Sequence, residues 1–195
     1  MAPRRIKLVV VGDGACGKTS LLIVYAYGKF PEAYIPNVFE GHVADVDLEG
    51  ERIELALWDT EGQEYRRLRP LAFPDAHVIL ICFAVDNPDS LDNVQEKWIK
   101  EIQHLCYGVP FILVGCKTDL RTDPPLVDEQ NKVGQRTLTT EEGRAVAKKV
   151  GAHEYLECSA KSGQGVNEVF LEVALVGRRP RHFAHPSPMA RCIVL

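Results

Sequence analysis

The sequence predicts an α/β fold: a mostly parallel sheet with one antiparallel edge strand and helices on both faces. Three observations predict it. Short apolar runs at residues 6–11, 78–85 and 111–115 have the length and composition of strands buried on both sides. Longer amphipathic stretches lie between them, and strands that alternate with helices form a parallel sheet covered by those helices. One section departs: Val46-Asp47-Leu48 and Ile53-Glu54-Leu55-Ala56-Leu57 alternate with period two around Glu49-Gly50-Glu51, the pattern of a hairpin at one edge.

In chain order, the first run leads into a glycine-rich segment and then Ser20-Leu21-Leu22, which opens a helix. The hairpin follows, then the run at 78–85 and a stretch at 91–105 with helical spacing of its apolar residues. After the run at 111–115, residues 121–136 are polar and contain Pro124-Pro125, so they read as a surface insertion rather than a core element. Thr139-Thr140-Glu141-Glu142 has the T-x-x-E spacing of a capping box and opens the fourth helix, which continues through 143–150. A last helix occupies the region 165–176, and residues 178–195 hold three prolines and no apolar periodicity, as a flexible tail does. The expected organisation is one domain over residues 1–177, with an insert near 122–136, followed by a tail over 178–195.

A chain of 195 residues supports one sizeable core and not two. With 46% hydrophobic and 26% charged residues it is neither disordered nor membrane-spanning, and a net charge of −4 argues against bulk nucleic-acid binding. Cys16, Cys82, Cys106, Cys116, Cys158 and Cys192 form no CxxC pair, and several sit in apolar runs, which points to a reduced, intracellular compartment. Arg4 and Arg5 precede an apolar run far too short for a secretory or membrane segment. The histidines show no HExxH or Cys/His metal spacing, and no G-x-S-x-G elbow marks a serine hydrolase.

Gly12-Asp13-Gly14-Ala15-Cys16-Gly17-Lys18-Thr19 matches G-x-x-x-x-G-K-[ST] between a strand and a helix, the context that motif requires, and Ser20 follows it. Glycines let backbone N–H groups turn toward phosphate oxygens, and the helix N-terminus adds partial positive charge. Lys18 reaches the β- and γ-phosphates, and the Thr19 hydroxyl is suited to Mg²⁺. Asp59-Thr60-Glu61-Gly62 follows the hairpin strand at the same end of the sheet. Asp59 there holds Mg²⁺ directly or through water, and the Gly62 N–H approaches the γ-phosphate.

Cys116-Lys117-Thr118-Asp119 resembles the N-K-x-D guanine motif of the GTPases, and Ser159-Ala160-Lys161 resembles their S-A-K loop. Phe30 matches the aromatic residue that packs on the base. In that family the aspartate accepts hydrogen bonds from guanine N1 and N2, which adenine cannot supply, and the alanine N–H meets guanine O6. Along its whole length the chain is similar to Rho-family small GTPases. The resemblance rests on the phosphate loop, Leu68-Arg69-Pro70-Leu71, Phe83-Ala84-Val85-Asp86, Leu156-Glu157-Cys158-Ser159-Ala160, and a polar insert after Asp119-Leu120-Arg121. Residues 89–98 (DSLDNVQEKW) look most like fungal Rho proteins that act on the cell wall and actin.

The resemblance implies a six-stranded P-loop GTPase domain, a monomer that switches between GTP and GDP with Mg²⁺ to control signalling to actin, polarity or the cell wall. It assigns Tyr34 and Asn37 of the first switch to the nucleotide, Asn37 also to Mg²⁺, and Gln63 to orienting the attacking water. It implies exchange factors, GTPase-activating proteins, a dissociation inhibitor and effectors, all meeting the two switches. Several positions depart from the family pattern. Asn37 stands in place of a threonine, Glu61 in place of an alanine, the second switch is one residue short before Tyr65, Gly41-His42 replace Asn-Tyr, and Cys116 replaces Asn or Thr. Asn37, Glu61 and the shortened second switch predict slow hydrolysis and fast exchange, Gly41-His42 an altered effector surface, and Cys116 a loosened hold on guanine. The alternative they suggest is a GTP-binding scaffold with little or no hydrolysis. A kinase built on the same loop would need a basic lid and an acceptor site, and the sequence offers neither.

Cys192-Ile193-Val194-Leu195 fits C-a-a-X with terminal leucine, the pattern for geranylgeranylation at Cys192. Arg178, Arg179, Arg181 and Arg191 add a modest basic supplement to one lipid chain. The expected location is the cytoplasm and the cytoplasmic face of the plasma membrane, with reversible residence there.

Overall fold

Strand order in the sheet is β2-β3-β1-β4-β5-β6, formed by β1 (Arg4–Gly12), β2 (His42–Leu48), β3 (Glu51–Asp59), β4 (Val78–Ala84), β5 (Phe111–Cys116) and β6 (Glu154–Glu157). The computed structural model of the chain describes residues 4–32, 42–60, 69–123 and 136–179. Only β2 runs antiparallel, paired with β3 from His42↔Leu57 to Leu48↔Glu51, and the other five strands are parallel. This is the mostly parallel sheet with an antiparallel edge that the period-two segment predicts.

The sheet carries α1 (Lys18–Tyr27) and α5 (Val166–Gly177) on one face, and α2 (Pro88–Asn93), α3 (Ile99–Leu105) and α4 (Thr140–Val150) on the other. Side chains alternate across a strand, so each central strand feeds two cores. Along β1, Ile6, Leu8 and Val10 pack with Leu21, Leu22 and Phe170, while Val9 and Val11 pack with Leu91, Val94 and Trp98. All seven residues of β4 are buried, which is why its sequence VILICFA reads as a continuous apolar run.

Three details differ from the sequence reading or extend it. The helix expected over 91–105 starts earlier, with Pro88 in its first turn, and α2 passes into α3 through a π-helical turn at Val94–Trp98. The edge strand β6 is only four residues long, and Tyr155 is its one fully buried side chain, too little for an apolar run. Arg121, expected on the surface of the insertion, is half-buried. Its guanidinium donates to Glu157 Oε1 and Oε2 at 2.7 and 2.8 Å, and its Nε donates to the Leu138 carbonyl at 2.8 Å. Residues 124–135 of the insertion lie outside the described residues, as does the tail from residue 180. The two tail arginines that are described turn back on the domain: Arg178 donates to Glu49 at 2.9 Å, and Arg179 lies 3.1 Å from His153 Nε2.

The capping box at the start of α4 is formed on both sides. Glu142 N–H donates to Thr139 Oγ1 at 3.3 Å, and Thr139 N–H donates to Glu142 Oε2 at 2.9 Å. Arg136 adds two bonds to the same carboxylate, each 2.7 Å. One position in α4 requires glycine for space: a Cβ on Gly143 would lie 2.1 Å from the Tyr155 hydroxyl, which is itself held by Glu157 at 2.6 Å.

Two predictions follow from these contacts. Gly143→Ala is expected to destabilise the fold by about 1–3 kcal/mol through overpacking, although alanine favours a helix, and urea unfolding reads the sign directly. The Arg136 guanidinium, and after it the Thr139 N–H, hold the Glu142 carboxyl down at about 2 from its ordinary 4.5. A depressed carboxylate stabilises the fold fully above its unfolded value, so this contribution is complete above pH 4.5 and fades as pH falls toward 2. An NMR titration of Glu142 should show the low midpoint, and Arg136→Ala should raise it.

Candidate functional site

Four parallel strands end at one edge of the sheet, at Gly12, Asp59, Ala84 and Cys116. In open α/β sheets this carboxyl edge is where ligands bind. Between β1 and α1 the chain makes a tight loop. Gly12 has φ 144°, and a Cβ there would sit 2.2 Å from the Cys82 carbonyl oxygen, so the first glycine of the motif lets the loop lie directly on β4. Left-handed Ala15 (φ 60°) and Gly17 (φ 100°) shape the turn into the N-terminus of α1, a backbone form that gathers N–H groups into an anion-binding concavity.

Lys18 is 1% exposed, and its ammonium donates to the Asp13 carbonyl at 2.6 Å. A buried cation aimed across a concavity of N–H groups is arranged for a polyanion. The Thr19 hydroxyl donates to Asp59 Oδ2 at 2.5 Å, so the first turn of α1 and the end of β3 bring a hydroxyl and a carboxylate together. Hard oxygens of this kind suit Mg²⁺, which needs one or two carboxylates when phosphates complete its shell. Among the described residues no cluster of three or more His, Cys, Asp or Glu could hold a metal by itself.

The Asp13 carboxylate accepts from Asn93 Nδ2 at 2.6 Å and Trp98 Nε1 at 2.8 Å, with Lys97 Nζ 3.8 Å away. These three donors come from the end of α2 and its π-helical turn, so that irregular turn braces the loop from the side. Thr60 is buried, and its hydroxyl donates to the Val10 carbonyl at 2.7 Å, fixing the chain as it leaves β3. Arg69 opens a short 3-10 turn at Arg69–Ala72 and is buried. It is held by Glu101 at 3.0 and 3.1 Å and lies over the Trp98 ring at 4.8 Å.

Beside the loop opens a cavity of about 190 Å³. Gly17 and Ser20 of the phosphate loop form one wall, and Phe30, 45% exposed, forms another. Lys117, Asp119, Ala160 and Lys161 contribute from the loops after β5 and β6. The Ser159 hydroxyl donates to Asp119 Oδ1 at 2.5 Å and accepts from the Ser162 N–H at 3.1 Å, so the S-A-K serine orients the carboxylate expected to read the base. Lys117 is left-handed (φ 64°) and pairs with Asp86 at 3.4 Å. Cys116 turns its thiol toward Cys158, with 4.0 Å between the sulfurs.

The structure thus brings together, around one edge, the expected residues Gly12 to Ser20, Phe30, Asp59, Lys117, Asp119, Ser159, Ala160 and Lys161. Tyr34, Asn37, Gly62, Gln63 and Cys192 lie outside the described residues, as does Glu61. Thr60, Asn93 and Trp98 support the site although no motif in the sequence marks them. Their role depends on hydrogen bonds to partners 50 to 85 positions away in sequence, which no local motif encodes.

The family model described as "Ras family" matches residues 7–176. GTP-binding protein rho1 of Schizosaccharomyces pombe is 59% identical, with 98% of each chain covered. GTP-binding protein RHO1 of Saccharomyces cerevisiae is 63% identical over 85% of this chain and 80% of its own. The human Rho-related GTP-binding protein RhoB is 52% identical with both chains fully covered. A family match spanning the whole sheet, joined to identity of this order from end to end, means that the chain belongs to the Ras family of small GTPases, on its Rho branch.

Proposed function

We propose that the chain binds GTP and GDP at this edge and switches between them by hydrolysing GTP to GDP and phosphate. The observation that carries the reading is a single cleft lined both by the phosphate loop, through Gly17 and Ser20, and by Lys117 and Asp119. A phosphate cradle alone fits any nucleotide. A carboxylate held by Ser159 at the far wall selects a base with two adjacent N–H donors, which guanine has and adenine lacks.

In this reading Thr19 and Asp59 hold Mg²⁺, which when bound neutralises charge on the β- and γ-phosphate oxygens. Lys18 exchanges its bond to the Asp13 carbonyl for phosphate oxygens, and the loop N–H groups hold the same oxygens in place. Gln63 orients water in line with the γ-phosphate. The tight placement of Thr60 against Val10 gives the second switch a fixed start from which to move. An activating protein supplies an arginine in trans, since no arginine is among the described residues that line the cleft. Exchange factors, a dissociation inhibitor and effectors meet the two switches. Geranylgeranylation of Cys192 with the tail arginines gives reversible attachment to the plasma membrane, and the fungal Rho pattern at residues 89–98 supports a role in polarity, actin or the cell wall. The non-hydrolysing scaffold gains no support from the geometry or from the relatives.

Single-turnover release of γ-labelled phosphate, with excess Mg²⁺ and with or without a Rho-type activating protein, tests the switch. Slow turnover that the partner accelerates by about 10³-fold or more, and that Gln63→Leu abolishes, is the expected result. GTP that stays intact under both conditions would overturn it.

A further inference from the structure

Four buried cysteines, Cys16, Cys82, Cys116 and Cys158, lie in the core that packs against α1 and α5. Only two of them, Cys116 and Cys158, also line the cleft. Cys116 ends β5 and Cys158 comes directly after the last residue of the parallel strand β6: the β5–β6 register ends at Gly115↔Glu157, and both cysteines follow immediately. Adjacent strands lie ~4.8 Å apart, inside the range of Cα separations that a disulfide spans. The sulfurs are already 4.0 Å apart, both on the same face of the sheet.

We propose that Cys116 and Cys158 are a dithiol modification site in the floor of the base cleft, converted to a disulfide by a hydroperoxide when the cleft is empty and shielded when guanine nucleotide fills it. The shielding clause rests on the nucleotide reading above. The disulfide clause rests on the geometry alone.

Bonds and protons balance with hydrogen peroxide as oxidant. The Cys116 sulfur attacks one peroxide oxygen, the O–O bond breaks, and the displaced hydroxide leaves as water with the Cys116 proton. The Cys158 sulfur then attacks the resulting sulfenic acid, and its hydroxyl leaves as a second water with the Cys158 proton. Two thiols and one peroxide become one disulfide and two waters. Cys116 is the better first nucleophile. Hydrogen bonds from Cys158 and then Cys82, helped by the ammonium groups of Lys18 and Lys117, hold its thiol well below its ordinary range despite burial.

The consequence falls on the base loops. Cys116 precedes Lys117, Cys158 precedes Ser159 and Ala160, and the Thr118 N–H already donates to the Cys158 carbonyl at 3.2 Å. Closing the sulfurs from 4.0 Å to about 2.05 Å fixes the starts of both base loops to each other, beside Gly17, on which a Cβ would lie 3.5 Å from the Cys116 Cβ. The site exists because cysteine stands at 116, where the family's motif has a residue that cannot form this bond.

The test treats the full-length chain with hydrogen peroxide, either stripped of nucleotide by a chelator or loaded with GDP and Mg²⁺. Non-reducing peptide mass spectrometry then maps disulfides, with Cys116→Ser and Cys158→Ser as controls. The expected result is a Cys116–Cys158 cross-link in the stripped protein, at least about tenfold less in the loaded protein, and none in either variant. The oxidised chain should bind a fluorescent GDP analogue at least about tenfold more weakly, and dithiothreitol should restore it. Oxidation of Cys106 or Cys192 while Cys116 and Cys158 stay reduced, or equal cross-linking with and without GDP, would overturn the proposal. Binding of the analogue to the reduced chain is measured first. Its absence sinks the nucleotide reading and the shielding with it, whereas binding without a cross-link sinks the dithiol alone.

Discussion

The approach of Gly12 to the Cys82 carbonyl sets the position of everything else at the carboxyl edge. No side chain of any size fits there, because a Cβ would meet a backbone oxygen at 2.2 Å that belongs to the most buried strand of the sheet. With that contact made, the loop leaves β1 at a fixed angle, Gly17 starts α1, and Lys18 and Thr19 face the concavity from the first helical turn. Thr19 then meets Asp59 because β3 pairs with β1 in a register that places Val10 opposite Asp59. The nucleotide proposal depends on this chain of placements more than on any one charged group.

Two further supports hold the loop and the base loops in a common frame. On one side the Asp13 carboxylate is fixed by Asn93 and Trp98, and the π-helical turn that presents Trp98 also seats Arg69. On the other side Arg121 and Glu157 tie the segment after β5 to β6, and Ser159 ties the S-A-K loop to Asp119. Cys116 and Cys158 line the same cleft as Gly17 and Ser20 of the phosphate loop and as Lys117 and Asp119 of the base loops.

Much of this was legible in the sequence because the relevant physics is local. Strands buried on both faces must be apolar throughout, so β1, β4 and β5 stood out. The edge hairpin showed its two faces by alternation, and Thr139 with Glu142 announced the start of α4. The phosphate loop and the K-x-D and S-A-K segments are contiguous, so their residue types and order sufficed to place them at one cleft. The remainder depends on contacts between distant segments. β6 is carried by pairing with β5 rather than by its own EYLE sequence, and Trp98 of the π-helical turn is matched to Asp13, 85 residues away. Arg121 read as solvated because its partner, Glu157, belongs to a strand that no pattern revealed. The sequence places Gly143 in a helix without a reason for glycine there, and the reason is the nearby Tyr155 hydroxyl, 2.1 Å from where a Cβ would lie.

The Gly12 contact with the Cys82 carbonyl sets the position of the phosphate loop. Titration of Gly12→Ala and the unaltered chain with fluorescent GDP and ADP analogues, alongside far-UV circular dichroism, tests it most directly. The account predicts an intact fold, affinity for the GDP analogue lowered by at least about tenfold through the overpacked contact, and a retained preference for guanine over adenine. Unchanged affinity in a folded Gly12→Ala protein would contradict it.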